Sequence, residues 1–257
     1  GAISGGQFVV DIMKEMGYDA IGLGNHEFDF GTPHLTKLVE ENGLPVVNMN
    51  LRSLHPDSLF FTPYIIKDFG GKKIAFVGVV TPESLISEAY SFFDKQGKQM
   101  LSLCEDNLVD EVQKTVNEAR KAGAHYVILL SHLGEASAKN FLTSHRLVSS
   151  TRGIDVVLDG HTHSRIPCET VLNADGDTVL LSQTGSRFKN VGKLVIRPDG
   201  RMSTELIPVD SIKQESAHIR QVTDSIEAMM AKVTTNKICH SDYRMDLFDE
   251  NGRQMVR

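Results

Sequence analysis

Apolar residues recur along this chain in two rhythms. Phe8, Val9, Ile12, Met13 and Met16 repeat every three or four positions, which predicts a helix over 8–16 that Gly17 closes. A short strand is predicted over 19–23. Thr32 and Pro33 read as the N-cap and first turn of a helix over 32–41, stopped by Gly43. A strand follows over 44–49. Segments 61–68 and 73–80 read as a hairpin about Gly70 and Gly71. Leu108, Val109, Val112, Val116 and Ala119 share one face of a helix predicted over 105–122. Segments 126–130 and 154–158 are unbroken apolar runs, as expected of parallel strands buried on both faces. Between them, 135–145 reads as helical.

The pattern then changes to short strands at 168–172, 178–182 and 192–196, separated by turns such as Asp175-Gly176. This predicts an antiparallel meander, with a further hairpin near Pro198-Asp199-Gly200. A charged, peripheral helix is predicted over 214–233. The remainder, from Thr234, has no strong periodicity.

The chain has 257 residues, enough for one large domain, or one with a small appendage, and a sizeable core. A formal net charge of −6 gives no bulk attraction for a nucleic acid polymer, but small phosphate esters respond to local charge instead. No apolar run reaches membrane-span length, and no positively charged stretch followed by an apolar h-region is seen; the abrupt start reads as that of a fragment. Cys104, Cys168 and Cys239 match no zinc or redox spacing and read as free or structural thiols.

Chemistry concentrates where apolar strands end. Gly24-Asn25-His26-Glu27, Ser131-His132-Leu133-Gly134 and Asp159-Gly160-His161-Thr162-His163 share that setting. In a parallel α/β sheet the carboxyl ends of strands meet along one edge, where ligands bind. Each histidine alone has a structural explanation. Three such loops together point to a metal site built from imidazole nitrogen and amide oxygen, donors that suit zinc, manganese and related divalent ions. His26 cannot easily share an ion with its neighbour Asn25. Asp29, three residues on, is placed to fix its tautomer, which suits a general acid or an oxyanion-stabilising cation. Arg187 and Lys189 either meet an anionic substrate or belong to a solvated loop, and Gly185 reads as a close backbone approach.

These segments resemble the calcineurin-like metallophosphoesterases, and more narrowly the catalytic domain of the 5′-nucleotidase family, which includes UDP-sugar hydrolases and 2′,3′-cyclic-nucleotide phosphodiesterases. Gly24-Asn25-His26-Glu27-Phe28-Asp29-Phe30-Gly31 is specific to that group, and the other two loops follow in its order. The resemblance implies an α/β fold, a four-layer α/β/β/α sandwich with mixed sheets. It implies two divalent metal ions, zinc, manganese or similar. Asn25, His132 and His161 would ligate one and His163 the other, with His26 as the catalytic histidine oriented by Asp29. The implied reaction is hydrolysis of nucleotide phosphate esters by hydroxide attack on phosphorus between two metals. The implied partners are a small nucleotide or phosphate ester and a C-terminal substrate-binding domain, and the implied location is extracytoplasmic.

The family opens with an Asp-x-His motif and then a Gly-Asp motif, which supply further ligands and a bridging carboxylate; neither stands ahead of Gly24-Asn25-His26 in this sequence, and Asp159 beside His161 reads as shaping the turn. The expectation is therefore a catalytic domain over 1–233 without its N-terminal metal-binding segment, a linker over 234–257, and weak or no activity from this chain alone. The alternative is a non-catalytic remnant or binding module of the same fold; the presence of His26 and Asp29 speaks against it. An amidohydrolase reading of His161-x-His163 leaves Asn25 and His26 unexplained.

Overall fold

The computed structural model describes residues 2–137 and 139–234. The chain divides into two compact units, the first ending at Glu215 and the second beginning at Ser216. In the first, α1 (Gln7–Met16) ends as predicted at Gly17, whose φ of 68° lets its amide reach the carbonyls of Met13 and Lys14. β1 (Ile21–Gly22) follows, then α2 (Thr32–Asn42). The cap of α2 differs from expectation. Gly31 is the N-cap, at φ 86°, and Thr32 lies inside the helix with its hydroxyl donated to the carbonyl of Ser91. The hydroxyl thus donates to a distant carbonyl instead of accepting a local first-turn amide.

β2 (Val46–Val47) runs parallel to β1. β3 (Arg52–Leu54) and β4 (Asp57–Leu59) form a hairpin. β5 (Tyr64–Phe69) and β6 (Lys72–Val80) form the predicted one, turned by Gly70 and Gly71 at φ 64° and 85°. Next come α3 (Ser84–Ser87), β7 (Leu101–Ser102), which pairs with β3, and α4 (Leu108–Lys121). β8 (Tyr126–His132) leads to α5 (Ser144–Ser150). The predicted helix over 135–145 is therefore displaced. Gly134, at φ 79°, turns the chain, and helix begins only where the Thr143 side chain caps the amide of Arg146.

β9 (Val156–Asp159), β10 (Arg165–Leu172) and β11 (Thr178–Thr184) complete a six-stranded sheet of order β10-β11-β9-β8-β6-β5. Among the described residues, β12 (Asn190–Ile196) and β13 (Met202–Pro208) pair only with each other. The predicted meander is thus split, because β11 aligns parallel to β9 and leaves no ladder for β12. The second unit contributes α6 (Ala217–Thr234). The predicted linker lies, beyond Thr234, outside the described residues, as does Cys239. Cys104 is buried, which pushes its thiol up to about 11, and Cys168 is exposed.

Strand alternation sets the layers. Val127 and Leu129 of β8 face α4, where Val112, Val116 and Ala119 are fully buried. Ile128 and Leu130 face the other way, and their side of the sheet packs against Leu194, Ile196 and Met202 of the β12–β13 pair. α2 closes a further core with Leu35 and Val39 against Leu23, Val46 and Phe92. Each fully buried aliphatic side chain contributes roughly 1.5–3 kcal/mol. The result is the mixed α/β sandwich expected from sequence.

One crossing brings the layers close. A Cβ on Gly78 of β6 would lie 1.9 Å from the carbonyl oxygen of Val47 in β2, and the amide of Met49 donates to the Gly78 carbonyl at 2.9 Å. Gly22 of β1 repeats the device, its Cβ position 3.1 Å from Cβ of Leu130 in β8. Gly78→Ala is expected to cost at least about 3 kcal/mol in urea unfolding, since backbone must move. Gly176→Ala, at φ 86° in open space, should cost only about 1 kcal/mol.

Candidate metal centre

Because β6, β8 and β9 are parallel, their carboxyl ends share one edge. Alternation places His132 on the Ile128–Leu130 face of β8, the face that β1 crosses at Gly22. The exit of β1 is thereby beside the exit of β8. Asn25 Oδ1 stands 3.2 Å from His132 Nε2 across 107 residues of sequence. Two glycines make this possible. A Cβ on Gly24 would come within 2.8 Å of His132 Cε1, and one on Gly160 within 2.7 Å of His132 Nδ1. The imidazole of the second loop sits between the backbones of the first and third.

His161 packs beside His132, ring centroids 5.3 Å apart and tilted by 60°. Both His161 and His163 have left-handed φ, 76° and 59°, a conformation that non-glycine residues hold only when their surroundings impose it. Gln183 at the end of β11 supplies part of that constraint. Its side chain is 1% exposed; Oε1 accepts from the Ser164 amide at 2.7 Å and the Thr162 hydroxyl at 3.1 Å. Its Nε2 donates to Asp159, which also accepts from the Gly134 amide. Asp159 shapes the loops rather than entering the donor group.

The first loop is braced as well. Asn25–Phe28 form a single 3₁₀ turn, and Glu27 accepts the Gly24 amide at 2.6 Å. The Phe28 carbonyl accepts from the hydroxyls of Ser91 at 2.8 Å and Tyr90 at 3.0 Å. His26 Nδ1 lies 3.0 Å from Asp29 Oδ1, on a side chain that is 73% exposed.

Electrostatics divides the histidines. Burial, reinforced by His161, His26 and His163, drives the His132 pKa down to about 4, so the ring is neutral at pH 7. A neutral imidazole is the metal-binding form. The hydrogen bond to Asp29 raises His26 above its ordinary value against a smaller opposing effect of burial, which favours imidazolium. Glu83, in the loop after β6, bonds His161 Nε2 at 3.2 Å and Lys139 at 3.1 Å. Burial pushes its carboxyl up, but those two partners outweigh burial and leave it below the usual value.

The donors at the strand edge fit a divalent ion in part. Two ligand atoms about 2.1 Å from a common ion stand roughly 3.0–3.4 Å apart at octahedral or tetrahedral angles. Asn25 Oδ1 and His132 Nε2 have that separation. His161 lies alongside with Nε2 turned to Glu83, and His163 is exposed close by. Among the described residues, the His, Cys, Asp and Glu trio with ligand atoms all within 4.8 Å of one another is His26, Asp29 and Glu88. The structure therefore joins Asn25 to His132 and His26 to Asp29, and sets His161 next to the first pair.

Sequence reasoning missed Glu83, Gln183 and Glu88. Glu83 and Gln183 each follow an apolar strand, the same signal that exposed the histidines, but without a histidine to draw notice.

No family model matches the chain. A 2′,3′-cyclic-nucleotide 2′-phosphodiesterase/3′-nucleotidase of Haemophilus influenzae is 31% identical over 170 residues, covering 62% of this chain and 25% of that protein. A snake venom 5′-nucleotidase of Gloydius brevicauda is 31% identical over 165 residues, again 62% of this chain and 25% of the relative. The solved calcineurin-like phosphoesterase YfkN of Bacillus subtilis superposes with a TM-score of 0.70 at 21% identity, covering 89% of this chain and 75% of that one. The fold is thus that of the calcineurin-like phosphoesterases. The sequence relatives are nucleotidases and phosphodiesterases, hydrolytic enzymes, and the resemblance read from the three loops is borne out. The chain spans about a quarter of the length of the curated relatives it matches.

Two measurements check the site. In an NMR titration of the ring protons, His26 should titrate above 6.5, and Asp29→Asn should lower it. Stability from that pair is fully present below the unfolded pKa and is lost as pH rises through the folded value. His132 has the opposite sign: its contribution is lost as pH falls from 6.5 toward about 4. Gln183→Leu strands the Ser164 amide and the Thr162 hydroxyl and should cost about 1–3 kcal/mol in thermal or urea unfolding.

Proposed function

We propose that this chain is the reacting part of a metal-dependent phosphohydrolase acting on phosphate esters of nucleotides. The observation that carries the reading is the neutral His132 held between two glycine backbones and against Asn25, with the His26–Asp29 pair on the next residue. Two divalent ions, when bound, would supply Lewis acidity and an activated water for attack on phosphorus. Asn25, His132 and His161 are the residues to hold one ion, and His163 the other.

Asp29 accepts from His26 Nδ1 and so fixes the ring. The outer nitrogen then faces solvent, and the raised pKa favours its charged form, placed to neutralise a phosphoryl oxygen or protonate a leaving alkoxide. The turn that carries His26 is pinned by Tyr90 and Ser91, so the donor keeps its direction. An extracytoplasmic location and a C-terminal domain that completes the grip on substrate belong to the same reading, supported by a venom relative and by the greater length of the relatives.

None of the four candidate ligands is a carboxylate or thiolate, and three serve one ion and one the other. This chain alone should therefore hold metal weakly and turn over slowly. Metal analysis and phosphate release from AMP and a 2′,3′-cyclic nucleotide, at saturating manganese or zinc, test this. Release should vanish with a chelator. His26→Asn should lower it roughly 10²-fold without changing metal content. His132→Ala should lower metal content. Release that is indifferent to chelator and to His26 would defeat the reading; tight occupancy by two ions with fast turnover would defeat the expectation of weakness.

A further inference from the structure

Three loops that leave the sheet at one edge are tied together by a single carboxylate. Glu83 follows β6, Lys139 lies between β8 and α5, and His161 follows β9. Glu83 Oε2 stands 3.2 Å from His161 Nε2, and Glu83 Oε1 accepts from Lys139 Nζ at 3.1 Å. The carboxylate is also held from its backbone. Pro82 precedes it, and the Glu83 amide donates to the Thr81 hydroxyl at 3.2 Å, on a residue that is fully buried. The Glu83 carbonyl accepts the amides of Ile86 and Ser87 where α3 opens. A glutamate on a surface turn ordinarily keeps its rotamer freedom. This one is fixed at both ends, and its side chain is mostly buried.

The contact settles the tautomer of His161. Burial would raise the Glu83 pKa, yet His161 and Lys139 hold it below its usual value, so the carboxylate is ionised at neutral pH. An ionised carboxylate only accepts. A neutral His161 ring therefore carries its proton on Nε2 and keeps its lone pair on Nδ1. Nδ1 has no hydrogen-bond partner among the described residues, and the ring packs against His132. Histidines that ligate a metal through one nitrogen characteristically donate the other to a carboxylate or carbonyl, which fixes the ring and strengthens it as a base.

We propose that Glu83 is a positioning residue for His161. It takes the Nε2 proton, so that Nδ1 is the nitrogen offered to an ion at the strand edge, and Lys139 steadies Glu83 in that task. The inference rests on the metal-dependent reading above and deepens it. It names the ligand atom of His161, and it names a residue outside the three histidine loops that sets how well the edge holds metal.

Two measurements on the chain test it. Nitrogen NMR of the imidazoles, without metal, should show His161 as the Nε2–H tautomer in wild type and as a mixture in Glu83→Ala. Equilibrium dialysis against zinc should show Glu83→Ala lowering affinity roughly 10–100-fold. Glu83→Gln, which keeps an acceptor oxygen, should recover part of that loss. Lys139→Met alters an exposed position and leaves the fold intact; it should lower affinity by a smaller factor. In a His161→Ala background, Glu83→Ala should have no further effect. Zinc affinity that is unchanged or raised by Glu83→Ala, or a wild-type His161 protonated on Nδ1, overturns the positioning role and leaves the phosphohydrolase reading standing. A wild-type chain that takes up no zinc removes both.

Discussion

The seat of His132 is the constraint from which the rest of the site follows. An imidazole can stand between two loops only if neither presents a side chain, and Gly24 and Gly160 meet that condition with less than 3 Å to spare for a Cβ. The contact does three things at once. It removes water from the ring and so keeps it neutral, it fixes the direction of Nε2 toward Asn25, and it locks together loops that are distant in sequence. Loss of either glycine would disturb all three, which separates these positions from the many glycines here that only supply a left-handed turn.

That seat depends in turn on how closely the strands cross. Gly78 and Gly22 allow β2 and β1 to lie against β6 and β8 at backbone distance. Ordinary side-chain spacing would move the exit of β1 several ångströms from the exit of β8 and separate Asn25 from His132. The aliphatic core supplies the energy that holds the sandwich, but these small residues decide where its edges meet.

Much of this was legible in the sequence because periodicity reports burial directly. The α1 stripe, the β5–β6 hairpin and the unbroken apolar runs of β8 and β9 all reflect local patterns that tertiary packing reinforced. The failures share a cause in long-range competition. Thr32 gave its hydroxyl to Ser91, 59 residues away, rather than capping its own helix. The helix read over 135–145 was delayed because Gly134 and Asp159 hold the chain at the strand edge. The site was legible through its histidines and Asn25. Gln183 and Glu83 were not, because a lone polar residue after a strand acquires meaning only once its partners, here Thr162, Ser164 and His161, are brought to it by the fold.

The distribution of charge around the strand edge explains how neutral donors and acidic groups coexist. Asn25, His132, His161 and His163 carry no negative charge at neutral pH, whereas the carboxylates Glu83, Asp159, Asp29 and Glu88 lie on or against the same loops, and of these Glu83 touches a candidate ligand, His161. Each of these four has a protein partner: His161 and Lys139 for Glu83, Gly134 and Gln183 for Asp159, His26 for Asp29, Tyr90 for Glu88. These carboxylates brace the loops that carry the candidate ligands and would favour a nearby cation without binding it. Their field is weaker than direct coordination, because it acts across greater distance and through partly hydrated space. An ion of the kind proposed would find most of its charge unbalanced at such an edge and would depend on whatever anion enters with it, a role that a phosphate ester could fill.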